Sequence, residues 1–316
     1  MNKKSVYIGI DTSNYTTSIG VCDEFGEIIA NIKKLLGVKE GERGLRQSDA
    51  VFAHVKNFSL LAPDFAEIVE NCDIQAIGVS VKPRDAEGSY MPCFLSGKAV
   101  ANMLGAAHNA PVYEFSHQAG HIMAALYSSG SAEKLLKNDF VAFHVSGGTT
   151  EAVYVTPNNN SFDVRIIAET ADISAGQAID RAGVMMGLNF PCGREIERLA
   201  NQYNGKLPKA KISVKNDKCN LSGLENIAKK LYDESGDAAF VSAYVLNFVG
   251  ETLFKLTENI RNEYPNIPIL YAGGVMSNKH LQSKLSQFND TYFATPEFSA
   301  DNAAGIALLV YKSNKL

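Results

Sequence analysis

The sequence is poor in cysteine and has no long apolar run, and these absences exclude several classes of protein. Its five cysteines are scattered, odd in number and without a C-x-x-C pair, which excludes a zinc ribbon and favours reduced, cytoplasmic thiols. No apolar run looks long enough to cross a bilayer, and the first residues lead directly into a strand-like stretch. We therefore expect no membrane segment and no signal peptide. The net charge of −4 argues against a general nucleic-acid coat.

Several nucleotide and metal motifs are missing as well. No G-x-G-x-x-G follows the first strand and no G-x-x-x-x-G-K-[ST] occurs, so a Rossmann site and a P-loop are both excluded. Gln118 stands where the glutamate of an H-E-x-x-H zinc protease would be needed. With 46% hydrophobic and 20% charged residues, the composition is that of a globular protein, and 316 residues suffice for two domains.

One order of secondary-structure elements occurs twice. Alternating and β-branched runs predict strands at 6–11, 17–22 and 27–32, a helix from Ser48 (its predicted cap), a strand at 76–81 and a helix at 99–108. About 135 residues later, strands at 140–145, 151–155 and 164–168 begin a similar order. Helices from about 175 and at 238–260 and a strand at 267–271 follow. We therefore predict a duplicated α/β domain with a cleft between the two copies.

Three polar or glycine-rich turns end predicted strands, at 11–13, 146–148 and 272–274. In a Ser-Gly-Gly-Thr-Thr turn, consecutive backbone N–H groups can form a concave anion site. An ordinary hairpin turn is the alternative for each one taken singly. Three such turns together favour a nucleotide in the cleft.

His117 and His121 are the sharpest candidates for chemistry. Histidines four residues apart lie on one face of a helix and can point at one ion, and Asp301 from elsewhere in the chain could complete an open three-ligand site. The alternative is a helix start with structural histidines. We expect a structural role for the remaining histidines, which are His54, His108, His144 and His280.

Two acids and a basic stretch leave alternatives open. Asp172 precedes a predicted helix and is interpreted as its cap. Asp180 lies within that helix, where it either forms a surface ion pair with Arg181 or accepts a hydrogen bond from a ribose hydroxyl. The lysine-rich stretch 206–218 is either a solvated loop or a local patch that grips a phosphate backbone.

An ordered series of motifs runs nearly from end to end of the chain. It comprises residues 9–13 (GIDTS), 117–121 (HQAGH), 145–148 (VSGG), 178–181 (AIDR), 187–193 (GLNFPCG), 221–224 (LSGL), 272–275 (AGGV) with Asn278, and 295–296 (TP) with 301–302 (DN). This series resembles the tRNA N6-adenosine threonylcarbamoyltransferase family, also called the glycoprotease family.

The resemblance implies the actin-like, Hsp70-like and sugar-kinase-like fold class, with duplicated α/β domains around a central nucleotide cleft. We assign the first domain to 1–110, completed by 302–316, and the second to 111–301. The implied reaction moves a threonylcarbamoyl group from threonylcarbamoyl-adenylate to N6 of the adenosine next to the tRNA anticodon. The expected partners are tRNA, a second actin-like subunit and an ATPase subunit, in the cytoplasm and away from membranes.

The same resemblance assigns site residues. His117, His121 and Asp301 would hold one divalent metal ion, iron or zinc. The phosphoryl end of an adenylate, or of an ATP-type nucleotide, would meet the turn at Ser146, Gly147 and Gly148. The nucleoside part would be bound by Asp180, Gly193 and Asn278, and Asp11 is a further candidate.

Four departures from the family pattern lie around the predicted cleft. Residues 14–17 (NYTT) replace C-D-E-T, and residues 82–89 (KPRDAEGS) replace G-P-G-L-x-G. Glu225 stands at a commonly basic position, and Thr149 stands where many bacterial members have histidine. We interpret the chain as a divergent paralogue with altered substrate, partner dependence or activity.

Two other functions remain open at this point. The first is a non-catalytic nucleotide-binding paralogue that dimerises with a true transferase and regulates it. The second is phosphotransfer of the sugar-kinase type, although a kinase has no use for the paired histidines.

Overall fold

The structure is a computed structural model that describes residues 3–13, 15–37, 45–298 and 303–315. Its contacts divide the chain into two compact units. The first unit is Met1–Ala132 with Pro157–Asp163 and Glu297–Leu316, and the second is Glu133–Thr156 with Val164–Pro296. The domain bounds assigned from the sequence, 1–110 with 302–316 and 111–301, stay a prediction.

The first unit contains a five-stranded sheet covered by helices. Its strands are β1 (Lys4–Ser13), β2 (Thr16–Asp23), β3 (Ile28–Leu35), β4 (Cys72–Lys82) and β5 (Val112–Ser116). Its helices are α1 (Gln47–Ile68), α2 (Phe94–His108), α3 (His117–Ser128) and, from the end of the chain, α10 (Ala304–Asn314). The strand order is β3-β2-β1-β4-β5, with β1 antiparallel to β2 and parallel to β4. The β-branched residues that predicted β1 and β4 provide this unit's core, including Val6, Ile8, Ile10 and Val79.

Helix α10 packs directly on the first sheet through backbone contact. A Cβ atom on Gly9 would lie 2.3 Å from the backbone nitrogen of Ala307. Because real Cβ atoms do not approach a backbone so closely, this position requires glycine.

The other elements build the second unit. The strands are β6 (Phe140–Val145), β7 (Thr150–Pro157), β8 (Phe162–Thr170), β9 (Ser213–Lys215), β10 (Lys218–Asn220), β11 (Ile269–Ala272) and β12 (Thr291–Phe293). The helices are α4 (Ala132–Leu135), α5 (Ala175–Met185), α6 (Gly193–Ala200), α7 (Gly223–Ser235), α8 (Ala238–Glu263) and α9 (Lys279–Leu285). A short 3₁₀ helix occupies Gly274–Ser277, and a second one, Pro296–Phe298, begins at the last residue of this unit and continues into residues of the first unit.

The two sheets repeat one plan, which confirms the predicted duplicated α/β fold. The second sheet has the order β12-β11-β6-β7-β8-β10-β9. Its stretch β8-β7-β6-β11-β12 corresponds to β3-β2-β1-β4-β5 of the first sheet. As in the first sheet, the central strand β6 is antiparallel to the next strand, β7, and parallel to the later strand, β11. The hairpin β9–β10 extends the second sheet beyond this shared plan.

One sequence-based expectation about the helices was wrong. Helix α1 begins at Gln47 with Arg46 as its N-cap residue and without a side-chain cap, so Ser48 lies inside the first turn and is not the cap. Helix α8 is, by length and composition, apolar enough to cross a membrane. Its buried side chains, among them Val245, Phe248 and Leu253, belong to the core of the second unit, which accounts for its apolar composition.

Candidate functional site

The two histidines of the HQAGH motif lie in the first turns of α3 and converge. Helix α3 begins at His117 because Ser116 caps it, its hydroxyl accepting a hydrogen bond from Ala119 N at 3.2 Å. His117 Nε2 and His121 Nε2 are 2.9 Å apart, and the two rings meet edge to face with centroids separated by 4.3 Å. The four-residue spacing therefore brings both side chains to one point, as predicted from the sequence.

Asp11 orients the first of these histidines. Its side chain is fully buried near the end of β1, and Oδ1 lies 2.9 Å from His117 Nδ1. Ser80 donates its hydroxyl hydrogen to the same oxygen, and Ser13 N donates to Oδ2 at 3.3 Å. A carboxylate at Nδ1 favours the tautomer that carries its proton there, which leaves the Nε2 lone pair directed at His121.

Residues 11–13 are therefore not a turn. Asp11, Thr12 and Ser13 continue β1, and Ser13 is still paired with Thr16 of β2. The expectation of an anion-binding turn at this place was wrong. The side chains of Asp11 and Thr12 are compatible with a buried strand because both have hydrogen-bond partners: Ser80 donates to Asp11, and Thr12 Oγ1 donates to Cys93 O at 3.1 Å.

The histidine pair fits a divalent cation. Imidazole nitrogens are ligands for zinc and iron, and a tetrahedral ion with bonds of about 2.0–2.1 Å needs nitrogens roughly 3.4 Å apart. The observed 2.9 Å is close enough for small ring rotations to accommodate an ion. Asp301, the predicted third ligand, lies outside the described residues. Among the residues that are described, no group of three or more histidine, cysteine or acidic side chains is arranged to hold a metal ion.

The segment that replaces G-P-G-L-x-G packs against the start of α3. Lys82 and Asp85 form an ion pair at 2.8 Å, and Asp85 Oδ2 accepts the hydroxyl hydrogen of Ser116 at 2.6 Å. Gln118 N donates to Pro83 O at 3.0 Å. These contacts place the altered loop beside the helix turn that carries His117.

In the second unit, the turn after β6 gathers backbone N–H groups. Gly148 N and Thr149 N both donate to Ser146 Oγ, at 3.3 and 3.1 Å, so they converge on one acceptor. Apart from each glycine and its two chain neighbours, no heavy atom of the described residues lies within 4 Å of the place where a Cβ on Gly147 or Gly148 would be. An anion could therefore approach this backbone closely.

The N-terminus of α5 is built onto this turn. Ser174 caps α5 in a capping box with Gln177, and its hydroxyl also donates to Gly147 O at 2.7 Å. Gly176 N donates to Ser146 O at 3.2 Å, and a Cβ on Gly176 would come within 2.6 Å of Gly147 Cα. The positive end of the helix dipole therefore adjoins the turn, which favours a bound phosphate.

The glycine turn after β11 lies next to the turn after β6. Strands β6 and β11 are parallel neighbours, with Ala272 opposite His144, so both turns lie at the same edge of the sheet. Gly273 has a φ of +100°, and a Cβ there would lie 2.3 Å from Val145 O. Asn278 follows this turn, is buried, and caps α9 by accepting from Leu281 N at 3.2 Å.

Asp180 lies beside the start of α6. Its Oδ1 accepts a hydrogen bond from Cys192 N at 2.7 Å, which fixes the residue before Gly193. Gly193 is the first residue of α6, and apart from its chain neighbours and the backbone of its own helix, no heavy atom of the described residues is found within 4 Å of its potential Cβ position. The predicted alternative, an ion pair between Asp180 and Arg181, was wrong, because Arg181 instead lies 3.6 Å from Glu225.

Asp172 is not a helix cap, since Ser174 performs that role for α5. Its carboxylate accepts hydrogen bonds from Leu221 N at 2.8 Å and from Ser222 N and Oγ at 3.1 and 2.6 Å. Burial raises the pKa of Asp172, but these hydrogen bonds to its charged form outweigh burial and hold the pKa well below its usual range. Asp172 thus fixes the LSGL motif, a role that its local sequence does not reveal.

Solved structures with this fold define its class. The chain superposes on HypF from T. kodakarensis with a TM-score of 0.61 at 12% identity, covering 99% of this chain and 48% of that one. The TM-score is 0.52, at 15% identity and 99% coverage of both chains, for (R)-2-hydroxyglutaryl-CoA dehydratase component A from Acidaminococcus fermentans. These likenesses confirm the predicted actin-like, Hsp70-like and sugar-kinase-like fold class.

Sequence comparison then defines the family. Residues 15–308 match the tRNA N6-adenosine threonylcarbamoyltransferase family, and the chain belongs to that family. A protein of that name from Streptococcus suis (strain 05ZYH33) is 30% identical, covering 98% of this chain and 92% of its own. One from Streptococcus pneumoniae (strain Taiwan19F-14) is 29% identical, covering 96% and 91%. The predicted family and the predicted enzyme class, an acyltransferase, are thereby confirmed.

Proposed function

We propose that this chain transfers a threonylcarbamoyl group from threonylcarbamoyl-adenylate to N6 of the adenosine next to the anticodon of tRNA. The family match supports the reaction. The observation that carries the proposal is the convergence of His117 Nε2 and His121 Nε2, 2.9 Å apart, because neither a kinase nor a non-catalytic nucleotide binder needs such a pair.

The metal part of the proposal assigns His117, His121 and Asp301 to one iron or zinc ion. Such an ion, when bound, would supply Lewis-acid stabilisation of charge on a carbonyl or phosphate oxygen. Asp11 holds the Nδ1 proton of His117, so that Nε2 stays available as a ligand. The cap formed by Ser116 keeps both histidines in the regular first turns of α3.

The adenylate part of the proposal concerns the second unit. The turn Ser146-Gly147-Gly148 and the N-terminus of α5 would bind the phosphoryl group, and Asp180, Gly193 and Asn278 would bind the nucleoside. The open space over Gly147, Gly148 and Gly193 in the described part of the chain supports this assignment. Because the exocyclic amine of adenosine is a poor nucleophile, holding both substrates in place would supply much of the acceleration.

The remaining parts of the proposal concern the cellular setting. We infer that the enzyme works in the cytoplasm with tRNA, together with a second actin-like subunit and an ATPase subunit. The replaced segments 14–17 and 82–89 lead us to infer altered partner dependence or rate rather than a different reaction, since the contacts of Asp85 leave the histidine pair in place.

Metal content and transfer activity test the proposal together. We expect about one equivalent of iron or zinc in the purified protein, with loss of metal and of labelled threonylcarbamoyl transfer to tRNA in His117→Ala and Asp301→Ala. His108→Ala, at the exposed end of α2, is the matched control and should keep both. Full transfer activity in a metal-free preparation would contradict the proposal.

A further inference from the structure

Four lysines of the second unit differ from most others in having no ionic partner among the described residues. The second unit, every residue of which the structure describes, contains twelve lysines. Seven form ion pairs with carboxylates: Lys134, Lys137, Lys218, Lys229, Lys230, Lys255 and Lys284. An eighth, Lys279, donates to Gln282. The remaining four are Lys206, Lys209, Lys211 and Lys215, here called the lysine row.

The lysine row concentrates charge. Residues 206–215 contain these four lysines and no acidic residue, so they carry +4, while the chain as a whole carries −4 and the rest of it therefore −8. All four side chains are exposed. Four exposed lysines without an acid among them form a local positive patch on a chain that is otherwise acidic. Such a patch attracts a polyanion.

The backbone under the lysine row is fixed to the core. Leu207, Ala210, Ile212 and Val214 alternate with the lysines and pack against the core of the second unit. Next to this segment, Tyr203 packs on Phe240 with ring centroids 5.3 Å apart and donates its hydroxyl hydrogen to Lys206 O at 3.2 Å. The four ammonium groups therefore project from an anchored segment, which lowers the entropic cost of binding an extended partner.

The row ends at an open groove. Lys215 lines this groove of about 1010 Å³ together with Arg165 and three asparagines, Asn216, Asn259 and Asn262. Asp217 and Glu263 also line it, so the groove is mixed in charge. Phosphate contacts are accordingly assigned to the row, whereas the amides of the groove are suited to the sugar and base edges of a nucleic acid.

We propose that the lysine row binds the phosphate backbone of the tRNA substrate. This inference rests on the proposed function, which supplies a polyanionic substrate, and it adds the surface that holds it. Lysine–phosphate contacts release counterions, so each contact contributes about 0.7–0.9 to the slope of log affinity against log salt concentration. Four contacts should account for a slope of about 3.

The test compares two variants of equal charge change. In the row variant, Lys206, Lys209, Lys211 and Lys215 are all replaced by Gln, and in the control variant the ion-paired Lys134, Lys137, Lys229 and Lys230 are replaced by Gln. Binding of unmodified tRNA is measured by fluorescence anisotropy across a salt series. We expect the row variant to bind roughly 10- to 100-fold more weakly at about 100 mM salt, with a slope smaller by about 3, and the control variant to resemble the wild type.

Equal tRNA binding by the two variants overturns the proposal, and so does a wild type that does not bind tRNA. Acetylation footprinting of the wild type gives a readout that does not depend on how the variant folds. Bound tRNA should protect the row and leave Lys229 and Lys230 reactive, and unprotected row lysines would overturn the proposal.

Transfer activity is measured separately, so that failure of the row and failure of the proposed function can be told apart. A wild type that binds tRNA through the row but transfers nothing contradicts the proposed function alone, whereas normal transfer with equal binding by both variants contradicts the row alone.

Discussion

Asp11 and His117 are 106 residues apart in the chain, yet Asp11 Oδ1 lies 2.9 Å from His117 Nδ1 in the first unit. The carboxylate is fully buried and also accepts the hydroxyl hydrogen of Ser80. A buried carboxylate in this position fixes both the tautomer and the orientation of the imidazole. The contact changes the interpretation of Asp11, which the sequence offered as a nucleotide-binding residue, to that of a residue that positions His117.

Replacing Asp11 with Asn should therefore weaken metal binding without unfolding the chain. Asn keeps the shape of the side chain but carries no negative charge, so it supports the Nδ1–H tautomer of His117 less well. Loss of such a partner typically lowers metal affinity about 10- to 100-fold. Competition of zinc between the protein and a chromophoric chelator measures the affinity. Asp64→Asn, on the exposed surface of α1, is the control, and equal zinc affinities for the two variants would exclude the positioning role.

A second prediction concerns the start of α3. Ser116→Ala removes the cap that accepts from Ala119 N and also the hydrogen bond to Asp85. Loss of an N-cap costs about 1 kcal/mol, and because about 1.4 kcal/mol corresponds to tenfold in affinity, zinc binding should fall about fivefold. Urea unfolding and zinc competition measure the two effects. Ser59→Ala, at an exposed position of α1, should change neither. An unchanged zinc affinity in Ser116→Ala would show that the histidines do not depend on this cap.

The local sequence pattern was sufficient to predict the central strand of each sheet. The runs at 6–11 and 140–145 are rich in β-branched and aromatic residues and became β1 and β6, whose side chains form the two cores. The three-residue strands β9 and β10 could not be predicted in this way, because each is short, contains an exposed lysine and is stabilised by pairing, β9 with β10 and β10 with β8. Strand β5 was missed because its five residues follow a proline and lie at the sheet edge.

The candidate site was predictable only where its residues are close in sequence. The spacing of His117 and His121 was enough to place their side chains together. The partners of these residues come from distant elements, as Asp11 does from β1 and Ser80 from β4, and no periodicity links them. Asp172 shows the same limit, since its position before a helix predicts a cap, whereas Leu221 and Ser222 provide its actual hydrogen bonds.

A third prediction addresses the adenylate site through Gly176. An alanine Cβ at this position would lie 2.6 Å from Gly147 Cα, and because that atom belongs to the backbone, the turn itself must shift. We expect Gly176→Ala to destabilise the fold by about 1–3 kcal/mol and to weaken adenylate binding by more than about tenfold. Isothermal titration with the adenylate measures the latter. Gly37→Ala, where no heavy atom of the described residues lies within 4 Å of the new Cβ, is the control. If Gly176→Ala bound the adenylate as tightly as Gly37→Ala does, the turn at residues 146–148 would not be part of the nucleotide site.

The last prediction concerns a histidine outside the metal pair. His54 is fully buried in α1, with Nδ1 2.8 Å from Thr17 Oγ1. Burial lowers the pKa of His54 from 6.5 to about 4, against smaller opposing effects of Asp11 and the Ser13 backbone. Between these two pH values the unfolded chain binds a proton that the folded chain does not. The free energy of unfolding should therefore be constant above about pH 7 and decrease as the pH falls towards about 4, by up to about 3 kcal/mol.

Urea unfolding at about pH 7.5 and about pH 4.5 tests this dependence when the wild type is compared with His54→Gln. The amide of Gln can still contact Thr17 but does not titrate, so the variant should be less stable at the higher pH and lose much less stability on acidification than the wild type. His108→Gln, whose histidine is exposed, should follow the wild type at both pH values. The wild type and His54→Gln differ only in the buried histidine. If acidification lowered the free energy of unfolding of both proteins by the same amount, other groups would have to cause the acid sensitivity.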